Sequence, residues 1–435
     1  MRINIKFIYL FLGIGIVYFT DALFLDVAAG GENELQLPVM RLVWVFTFVG
    51  SLYFINYMSP FMRAWCLMCT IYFFYLILES LYLYGSPFQF PRVFAKSLEL
   101  FSIFYVYVFY KRFKDKITVE HVVNFIFIFF VLNSVLVNRD AYSMSSFTSH
   151  DRGFHAESVY MLIIPVLFYF NRYFSDRQVK YILYCGFFLA IIVFLQHRTV
   201  WICTSVALAV NLLLIKKANL KIDLSAFIPI SLILFVIIFF AGFFIATNEE
   251  IVSKLNENID DIANPTGQGT GNWRWVQFTS YWPFIVDNFI FGMRLQGFEL
   301  PVQFFDRDTL AFEDGTGHHF HSFYVDKLFY FGALGLLLVI LPTIIYIVRL
   351  VAQNKSLSAD RVAFVAYIAT AIVYGISYKL QLNVYASIGF LIYLLENSLS
   401  HQHDEAEQLA NEAEQQTIQE ENLVSTYNYN LSSNN

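Results

Sequence analysis

Charged residues are scarce in this sequence, at 14% of 435 residues. A soluble domain carries about a quarter charged residues. Hydrophobic residues instead reach 57%, and the mean hydropathy is +0.55. This composition excludes an ordinary soluble globular protein, because most of these apolar side chains need an apolar solvent.

Cysteine is scarce as well. The chain has four cysteines, and all of them fall inside apolar runs. Cys66 and Cys69 form a C-x-x-C, but the pair lies in the apolar segment 65–78. We interpret both as small apolar side chains of a helix rather than as redox or metal ligands. No disulfide framework is expected.

Long apolar runs recur along the whole chain. Stretches of about 20 residues are long enough to cross a hydrocarbon layer about 30 Å thick. Only helices and closed barrels satisfy the backbone there, and these runs are too long for barrel strands. The sequence therefore predicts an all-α integral membrane protein with about twelve transmembrane helices. The predicted spans are 5–25, 37–57, 63–83, 94–110, 121–139, 157–171, 181–197, 199–215, 225–246, 322–348, 361–378 and 381–397.

Lysine and arginine are distributed unevenly between the two sides of these spans. With a cytoplasmic N-terminus, sixteen fall on the inner side and six in the short outer loops. This asymmetry is typical of membrane proteins and predicts that both chain ends are cytoplasmic. Residues 1–246 then hold helices 1–9, 247–321 form a long extracytoplasmic loop, and 322–397 hold helices 10–12. Residues 398–435 form an acidic tail without lysine or arginine, which we expect to be disordered.

Two arginines on the predicted outer side are candidates for function. Arg198 occupies the tight turn between the seventh and eighth spans. Arg274 stands between Trp273 and Trp275, ahead of an apolar stretch, 275–289, that predicts an interfacial helix. Charges at a membrane edge are costly and tend to be functional. The alternatives are an arginine that snorkels to lipid headgroups at 198 and a structural cation among interfacial tryptophans at 274.

Three histidines, His318, His319 and His321, precede the tenth span on the same predicted side. No H-E-x-x-H motif or cysteine accompanies them, so we expect no metal there. The one D-x-D of the outer loop, at 306–308, is interpreted as a surface charge run, with a divalent-cation site as the alternative.

Arginine and histidine together suit one kind of chemistry. A guanidinium group donates paired, charge-assisted hydrogen bonds to phosphate and stays protonated. An imidazole accepts a proton near neutral pH. Two arginines and a histidine that face outward would suit a phosphate-linked donor and a hydroxyl acceptor.

At these residues the chain resembles the O-antigen ligase and polymerase superfamily of bacterial envelope glycosyltransferases. That family has an arginine at an outer helix turn and a long outer loop between the ninth and tenth spans. The loop carries an arginine, a tryptophan-rich helix and a glycine-rich turn, and a histidine then opens a helix that ends in Gly-Leu-x-Gly. The matching positions, in chain order, are Arg198, Arg274, the turn 287–298, His321-Ser322, and Gly332 to Gly335. The turn departs from the family pattern, because Arg294 falls within it.

The resemblance implies a GT-C-like fold and a polyprenyl-diphosphate-linked glycan as donor. By the same resemblance, Arg198 and Arg274 hold the diphosphate, His321 accepts the proton of the attacking hydroxyl, and the anomeric carbon is inverted. No cofactor is implied. Further substrate contacts are expected from Arg294, His319, His318, Trp273 and Trp275.

The resemblance leaves the acceptor open. We favour a polymerase, because polymerases of this superfamily vary widely in sequence and the motifs here match loosely. A ligase would transfer the glycan to lipid A-core or to a protein instead. A transporter or flippase without catalysis is the second alternative, although no internal repeat of the kind typical of transporters is visible.

The expected setting is a bacterial inner membrane, with the active site facing the periplasm. The expected partners are the lipid bilayer, the lipid-linked donor and a glycan or lipid A-core acceptor. The resemblance also points to a chain-length regulator and a flippase, and nothing points to nucleic acid.

Overall fold

The computed structural model describes most of the chain. The described residues form helices, turns and loops and contain no β-strand, which confirms the all-α class for this part of the sequence. They are residues 5–20, 36–113, 117–143, 146–147, 153–218, 220, 225, 227–232, 235, 249–264, 269–304, 316–400 and 402.

The main helices of the described residues are labelled in chain order. They are α1 (Lys6–Tyr18), α2 (Gln36–Tyr53), α3 (Pro60–Tyr84), α4 (Pro91–Arg112), α5 (Val119–Leu136), α6 (Ala156–Met161), α7 (Ile163–Asp176), α8 (Val179–Phe194), α9 (Arg198–Ala218), α10 (Glu249–Ala263), α11 (Gly269–Asp287), α12 (Phe323–Gln353), α13 (Ala359–Ser377) and α14 (Leu382–Ser400). Short 3-10 turns lie at Ile55–Tyr57, Arg139–Tyr142 and Arg294–Phe298.

Seven of the described helices are long and apolar enough to cross a membrane: α3, α4, α5, α9, α12, α13 and α14. This agrees with a multi-pass membrane protein. α1, α2 and α8 are apolar but contain shorter runs. The predicted span 157–171 coincides with α6 and α7, whereas most of 225–246 lies outside the described residues. The count of about twelve spans and the GT-C-like fold remain predictions.

Local sequence signals set the ends of α3. Pro60 occupies its first turn, where the missing backbone N–H has no helical partner in any case. Gly85 follows its last residue with φ +68°, a left-handed conformation that ends helices and favours glycine. These two signals bracket the predicted span at 63–83.

α9 and α13 pack against each other in opposite directions. Cys203 Sγ lies 3.8 Å from Thr370 O, and Leu357 N donates a hydrogen bond of 3.0 Å to Lys217 O. The start of α9 is therefore level with the end of α13. We call this the upper end of the bundle and the level of Leu357 the lower end.

A carboxylate ties four helices together at the lower end. Glu396 of α14 accepts hydrogen bonds from Ser59 at 2.8 Å, from Tyr107 at 2.7 Å and from Lys111 at 2.6 Å. Tyr346 of α12 donates to the same carboxylate. Asn354 Nδ2, which donates to Leu395 O, connects this cluster to the lower end defined above.

Two glycines bring the turn after α11 against the middle of α12. Gly292 has φ +69° and Gly332 has φ +63°, and Gly332 kinks α12. A Cβ atom at Gly292 would lie 2.5 Å from Gly332 N, and a Cβ atom at Gly332 would lie 2.5 Å from Gly292 N. Both positions therefore require glycine, for conformation and for space.

Backbone hydrogen bonds fix this crossing. The kink at Gly332 frees polar groups of α12, and the turn after α11 pairs with several of them. The bonds run from Met293 N to Phe329 O at 2.8 Å, from Ala333 N to Phe289 O at 2.7 Å, and from Leu334 N to Ile290 O at 3.0 Å. The glycine-containing turn thus anchors α11 to α12.

Candidate functional site

Arg274 lies on α11 and reaches the residue that follows α13. Its guanidinium carbon is 5.1 Å from the centre of the Tyr378 ring, a cation–π contact. Arg274 Nε is buried and has no hydrogen-bond partner among the described residues. A buried donor without an acceptor is costly. The site therefore has an unused hydrogen-bond donor that an anion would satisfy.

His321 stands beside the same part of α11. Its ring centre is 4.9 Å from that of Trp273, the neighbour of Arg274 in the chain. The start of α12 is fixed to the end of α13, because Phe323 N donates to Tyr378 O at 3.2 Å. Ser322 Oγ also donates to Gly375 O at 3.2 Å. The structure thus brings His321 and Arg274 together at the upper end.

Arg198 begins α9 at the upper end of the bundle. Its turn is held by His197, whose Nε2 lies 2.9 Å from Phe154 O. Asn258 of α10 donates a hydrogen bond of 3.0 Å to Gln196 Oε1 in the same turn. Because α9 and α13 are antiparallel, Arg198 lies level with the last turn of α13, where Arg274 and His321 converge. The three predicted catalytic residues therefore share one end of the bundle.

His319 reaches solvent next to His321. The two imidazole centres are 5.2 Å apart, and Gln277 Nε2 of α11 donates to His319 O at 3.1 Å. Desolvation by the surrounding protein lowers the pKa of His319 to about 4, and the nearby His321 and lysine charges lower it further. His319 is therefore neutral at physiological pH.

His318 points the opposite way, into the protein. The side chain is buried, and its Nδ1 lies 2.9 Å from the Tyr281 hydroxyl. Its backbone N–H donates to the Tyr330 hydroxyl at 2.7 Å, and that hydroxyl donates back to His318 O at 3.0 Å. Burial lowers the pKa of His318 to about 4. These contacts give His318 a structural role in the packing around Tyr281 and Tyr330. Its contact with substrate remains a prediction.

The remaining predicted binding residues occupy different surroundings. Trp273 packs on His321, whereas Trp275 is 53% exposed on the other side of α11. Arg294 has φ +48° and forms an ion pair with Glu79 of α3, in which Nε is 2.8 Å from Oε1. That ion pair already balances the Arg294 charge and fixes the glycine-containing turn to α3. Substrate contact by Arg294 remains a prediction.

Several charged residues at the upper end were missed by the motif analysis. Lys96 of α4 and Asp326 of α12 form a buried ion pair. Glu99 of α4 accepts from Lys379 Nζ at 2.6 Å, just after Tyr378. The sequence signal was the charged pair Asp326-Lys327 near the start of an otherwise apolar span. The family motifs do not include this pair, because they consist of arginine, histidine and glycine positions.

The geometry of the described residues adds no candidate metal site. Within the part of the chain that the structure describes, no group of three or more His, Cys, Asp or Glu side chains is arranged to hold a metal ion. The D-x-D at 306–308 lies outside the described residues.

Part of the chain matches a known protein family. No curated protein matches the chain. The O-antigen ligase family model matches residues 183–340, which begin in α8 and end in α12. The match includes Arg198, Arg274 and His321, the residues on which the resemblance rests. Residues 183–340 are therefore similar to O-antigen ligases, which confirms the resemblance to the O-antigen ligase and polymerase superfamily over this part of the chain.

Proposed function

We propose that this chain is an inverting membrane glycosyltransferase that polymerises polyprenyl-diphosphate-linked repeat units at the outer face of the inner membrane. One observation carries the proposal. Arg274 Nε is buried without a hydrogen-bond partner among the described residues, and its neighbour Trp273 packs on His321, at the end of the bundle where α9 begins with Arg198. A cationic, hydrogen-bonding surface next to an imidazole suits transfer of a group from a diphosphate to a hydroxyl.

The two arginines act on the leaving group. As the bond between the anomeric carbon and the diphosphate oxygen breaks, the electron pair and negative charge remain on the diphosphate. Arg198 and Arg274 bind that charge as it grows, so they stabilise the transition state more than the ground state. Because the arginines supply positive charge themselves, the mechanism needs no metal ion.

His321 acts on the nucleophile. The acceptor hydroxyl attacks the anomeric carbon opposite the leaving oxygen, and its proton passes to the imidazole. A new glycosidic bond forms with inverted configuration, and the polyprenyl diphosphate leaves. The exposed Trp275 offers an aromatic face on which a sugar of the acceptor can stack.

An apolar groove supports a lipid-linked donor. The groove lies among α12, α13 and α14 and has a volume of about 240 Å³. It starts at Phe323 and Tyr324, directly after the residues that hold His321, and extends down α12 to Ile347 and Val348. Since the groove is lined by apolar residues and begins two residues after His321, we assign it to the polyprenyl tail.

A ligase is the second candidate, because the matching family model is that of O-antigen ligases. Polymerase and ligase share the donor half of the reaction and differ in the acceptor. Purified protein given donor alone will build a polymer on the lipid if it is a polymerase. A ligase will transfer glycan only when lipid A-core or an acceptor protein is added.

The test is transfer by purified protein in lipid nanodiscs that contain the polyprenyl-diphosphate-linked repeat unit. We expect Arg274→Ala and His321→Ala to lower the transfer rate at least about a hundredfold, the range typical of lost general-base or charge-stabilising groups. Arg349→Ala is the matched control, because Arg349 is exposed towards the end of α12.

Two results would contradict the proposal. One is wild-type transfer by the Arg274→Ala and His321→Ala variants. The other is movement of labelled lipid-linked glycan across liposomes by a protein that shows no transfer under any acceptor condition, which would indicate a transporter.

A further inference from the structure

Glu157 is a carboxylate at the upper end that the roles given above do not use. It lies in the first turn of α6, and its Oε1 accepts a hydrogen bond of 3.3 Å from Gln381 Nε2. Gln381 follows Tyr378 by three residues, and the Tyr378 ring contacts Arg274. Glu157 is half-buried, and among the described residues no lysine, arginine or histidine forms an ion pair with it. A charged group held at a membrane edge without a counter-charge is costly and points to function.

A buried hydroxyl group lies within range of the Glu157 charge. Tyr374 is 1% exposed, and its hydroxyl has no hydrogen-bond partner among the described residues. Of the charged side chains around this hydroxyl, Glu157 acts on it most strongly. Two other rings fix the Tyr374 ring, because its centre is 4.1 Å from that of Tyr160 and 5.0 Å from that of Tyr378. The Tyr374 hydroxyl therefore has a fixed position and an unused capacity for hydrogen bonds.

The chemistry of these two groups indicates what they can bind. A carboxylate only accepts hydrogen bonds, whereas a tyrosine hydroxyl both donates and accepts them. A sugar hydroxyl has the same two capacities, so it can donate to Glu157 and accept from Tyr374. A diphosphate is anionic and only accepts, so the Glu157 charge repels it. The pair therefore suits an uncharged ligand rich in hydroxyl groups, which is the chemistry of the acceptor glycan and not of the diphosphate.

We propose that Glu157 and Tyr374 bind a hydroxyl group of the acceptor glycan, so that α6 forms the acceptor side of the site. The inference rests on the proposed function, in which Arg198 and Arg274 hold the donor diphosphate. Gln381 holds Oε1 of Glu157, and Oε2 is left for the sugar hydroxyl. The carboxylate also repels the diphosphate from the acceptor position and so favours its binding at the arginines.

The competing explanation is a purely structural one, in which Glu157 only fastens α6 to the segment after α13. Two substitutions separate the explanations. Glu157→Gln removes the charge but keeps the size of the side chain and an oxygen that can accept from Gln381. Tyr374→Phe removes only a hydroxyl group that has no partner among the described residues. A structural role predicts no loss of glycan binding from either substitution.

The measurement is binding of two probes to full-length protein in nanodiscs. One is the repeat-unit oligosaccharide as an octyl glycoside, which has no diphosphate, and the other is farnesyl diphosphate, which has no sugar. We expect Glu157→Gln to raise the Kd for the octyl glycoside about tenfold, the effect of a lost charge-assisted hydrogen bond. Tyr374→Phe should raise it about fivefold, because a neutral hydrogen bond is lost. The Kd for farnesyl diphosphate should stay within about twofold of wild type in both variants.

Glu120→Gln, which changes an exposed glutamate of α5, is the matched control and should leave both Kd values unchanged. An unchanged Kd for the octyl glycoside in Glu157→Gln or in Tyr374→Phe would overturn the inference. So would an equal loss of affinity for both probes. The binding measurement does not depend on turnover. Wild-type transfer by the Arg274→Ala and His321→Ala variants would sink the proposed function, whereas these Kd values test the acceptor side separately.

Discussion

Neighbouring histidines in one motif have opposite environments. The sequence predicts a cluster of three, with His321 as the proton acceptor and His318 and His319 as substrate contacts, but it does not predict which of them is buried. In the structure, His318 is buried against Tyr281, whereas His319 reaches solvent beside His321. The difference arises because the segment before α12 packs His318 and Phe320 into a core of aromatic side chains. Spacing along an irregular loop gives no information on that packing.

Burial of a neutral His318 makes stability depend on pH. Its pKa is lowered from 6.5 to about 4, so between these values the unfolded chain binds a proton that the folded chain does not. The free energy of unfolding should therefore fall as the pH falls from about 6.5 towards 4. We expect His318→Gln to have a flatter dependence of Tm on pH than wild type.

The measurement is the Tm of detergent-solubilised protein at pH 7.5, 6.5 and 5.5. His319 titrates in the same window, so the variant should lose part of the slope and not all of it. Parallel curves for variant and wild type would show that His318 is not the buried neutral group described above.

At the scale of elements, a single backbone contact accounts for both glycine motifs. The sequence matches a glycine-containing turn after α11 and a Gly-Ala-Leu-Gly segment in α12 as separate patterns. The structure shows that Gly292 of the first touches Gly332 of the second. A sequence pattern cannot reveal this contact, because it joins two segments that are distant along the chain.

Alanine at either glycine should destabilise the protein strongly. The added Cβ would approach backbone atoms at 2.5 Å, and the left-handed conformation disfavours any side chain. We expect Gly292→Ala and Gly332→Ala each to lower the free energy of unfolding by roughly 2–5 kcal/mol. Thermal unfolding in detergent micelles measures the effect as a lower Tm.

Two other glycines provide controls. Gly85→Ala has the same left-handed strain, at φ +68°, but open space around the Cβ, so it should cost less. Gly186→Ala lies in α8 with nothing within 4 Å and should be neutral or slightly stabilising. Equal destabilisation at Gly85 and Gly292 would refute the close backbone contact.

The proposed role of the groove among α12, α13 and α14 in holding the polyprenyl tail can be tested by filling the groove. Ala369 lines the groove, so Ala369→Phe should obstruct a long polyprenyl tail. We expect its KM to rise severalfold for a donor with a full-length tail and to stay unchanged for a short-chain analogue. Ala209→Phe, at an exposed position of α9, is the control. Equal effects on both donors would remove the groove from the lipid site.

For the whole molecule, hydropathy locates most of the described spans but does not predict how they are held together. Apolar runs place α3, α12 and α13 within a few residues of their observed bounds. Hydropathy does not predict that Lys96 pairs with Asp326, because the two residues are distant in sequence. A charged residue inside an apolar run only lowers the hydropathy of that span. Helix parity predicts that Arg198, Arg274 and His321 lie on one side of the membrane, and in the structure they lie at one end of the bundle.

The orientation of the whole molecule in the membrane can also be tested. The distribution of lysine and arginine predicts that the upper end faces outside. We expect Gln303→Cys to react with a membrane-impermeant maleimide in spheroplasts and Lys355→Cys to react only after permeabilisation. Both positions are exposed, and the four natural cysteines are buried, so background labelling should be low. The reverse pattern would put the site in the cytoplasm.

The central claim is that Arg198, Arg274 and His321 surround one diphosphate at the upper end. A cryo-EM structure with bound polyprenyl diphosphate tests it most directly. We predict diphosphate density within hydrogen-bond distance of both guanidinium groups, with the tail in the groove below Phe323 and His321 next to the first sugar position. Density that engages Arg294 at Glu79 instead, or that leaves Arg198 and Arg274 on separate surfaces, would contradict the account.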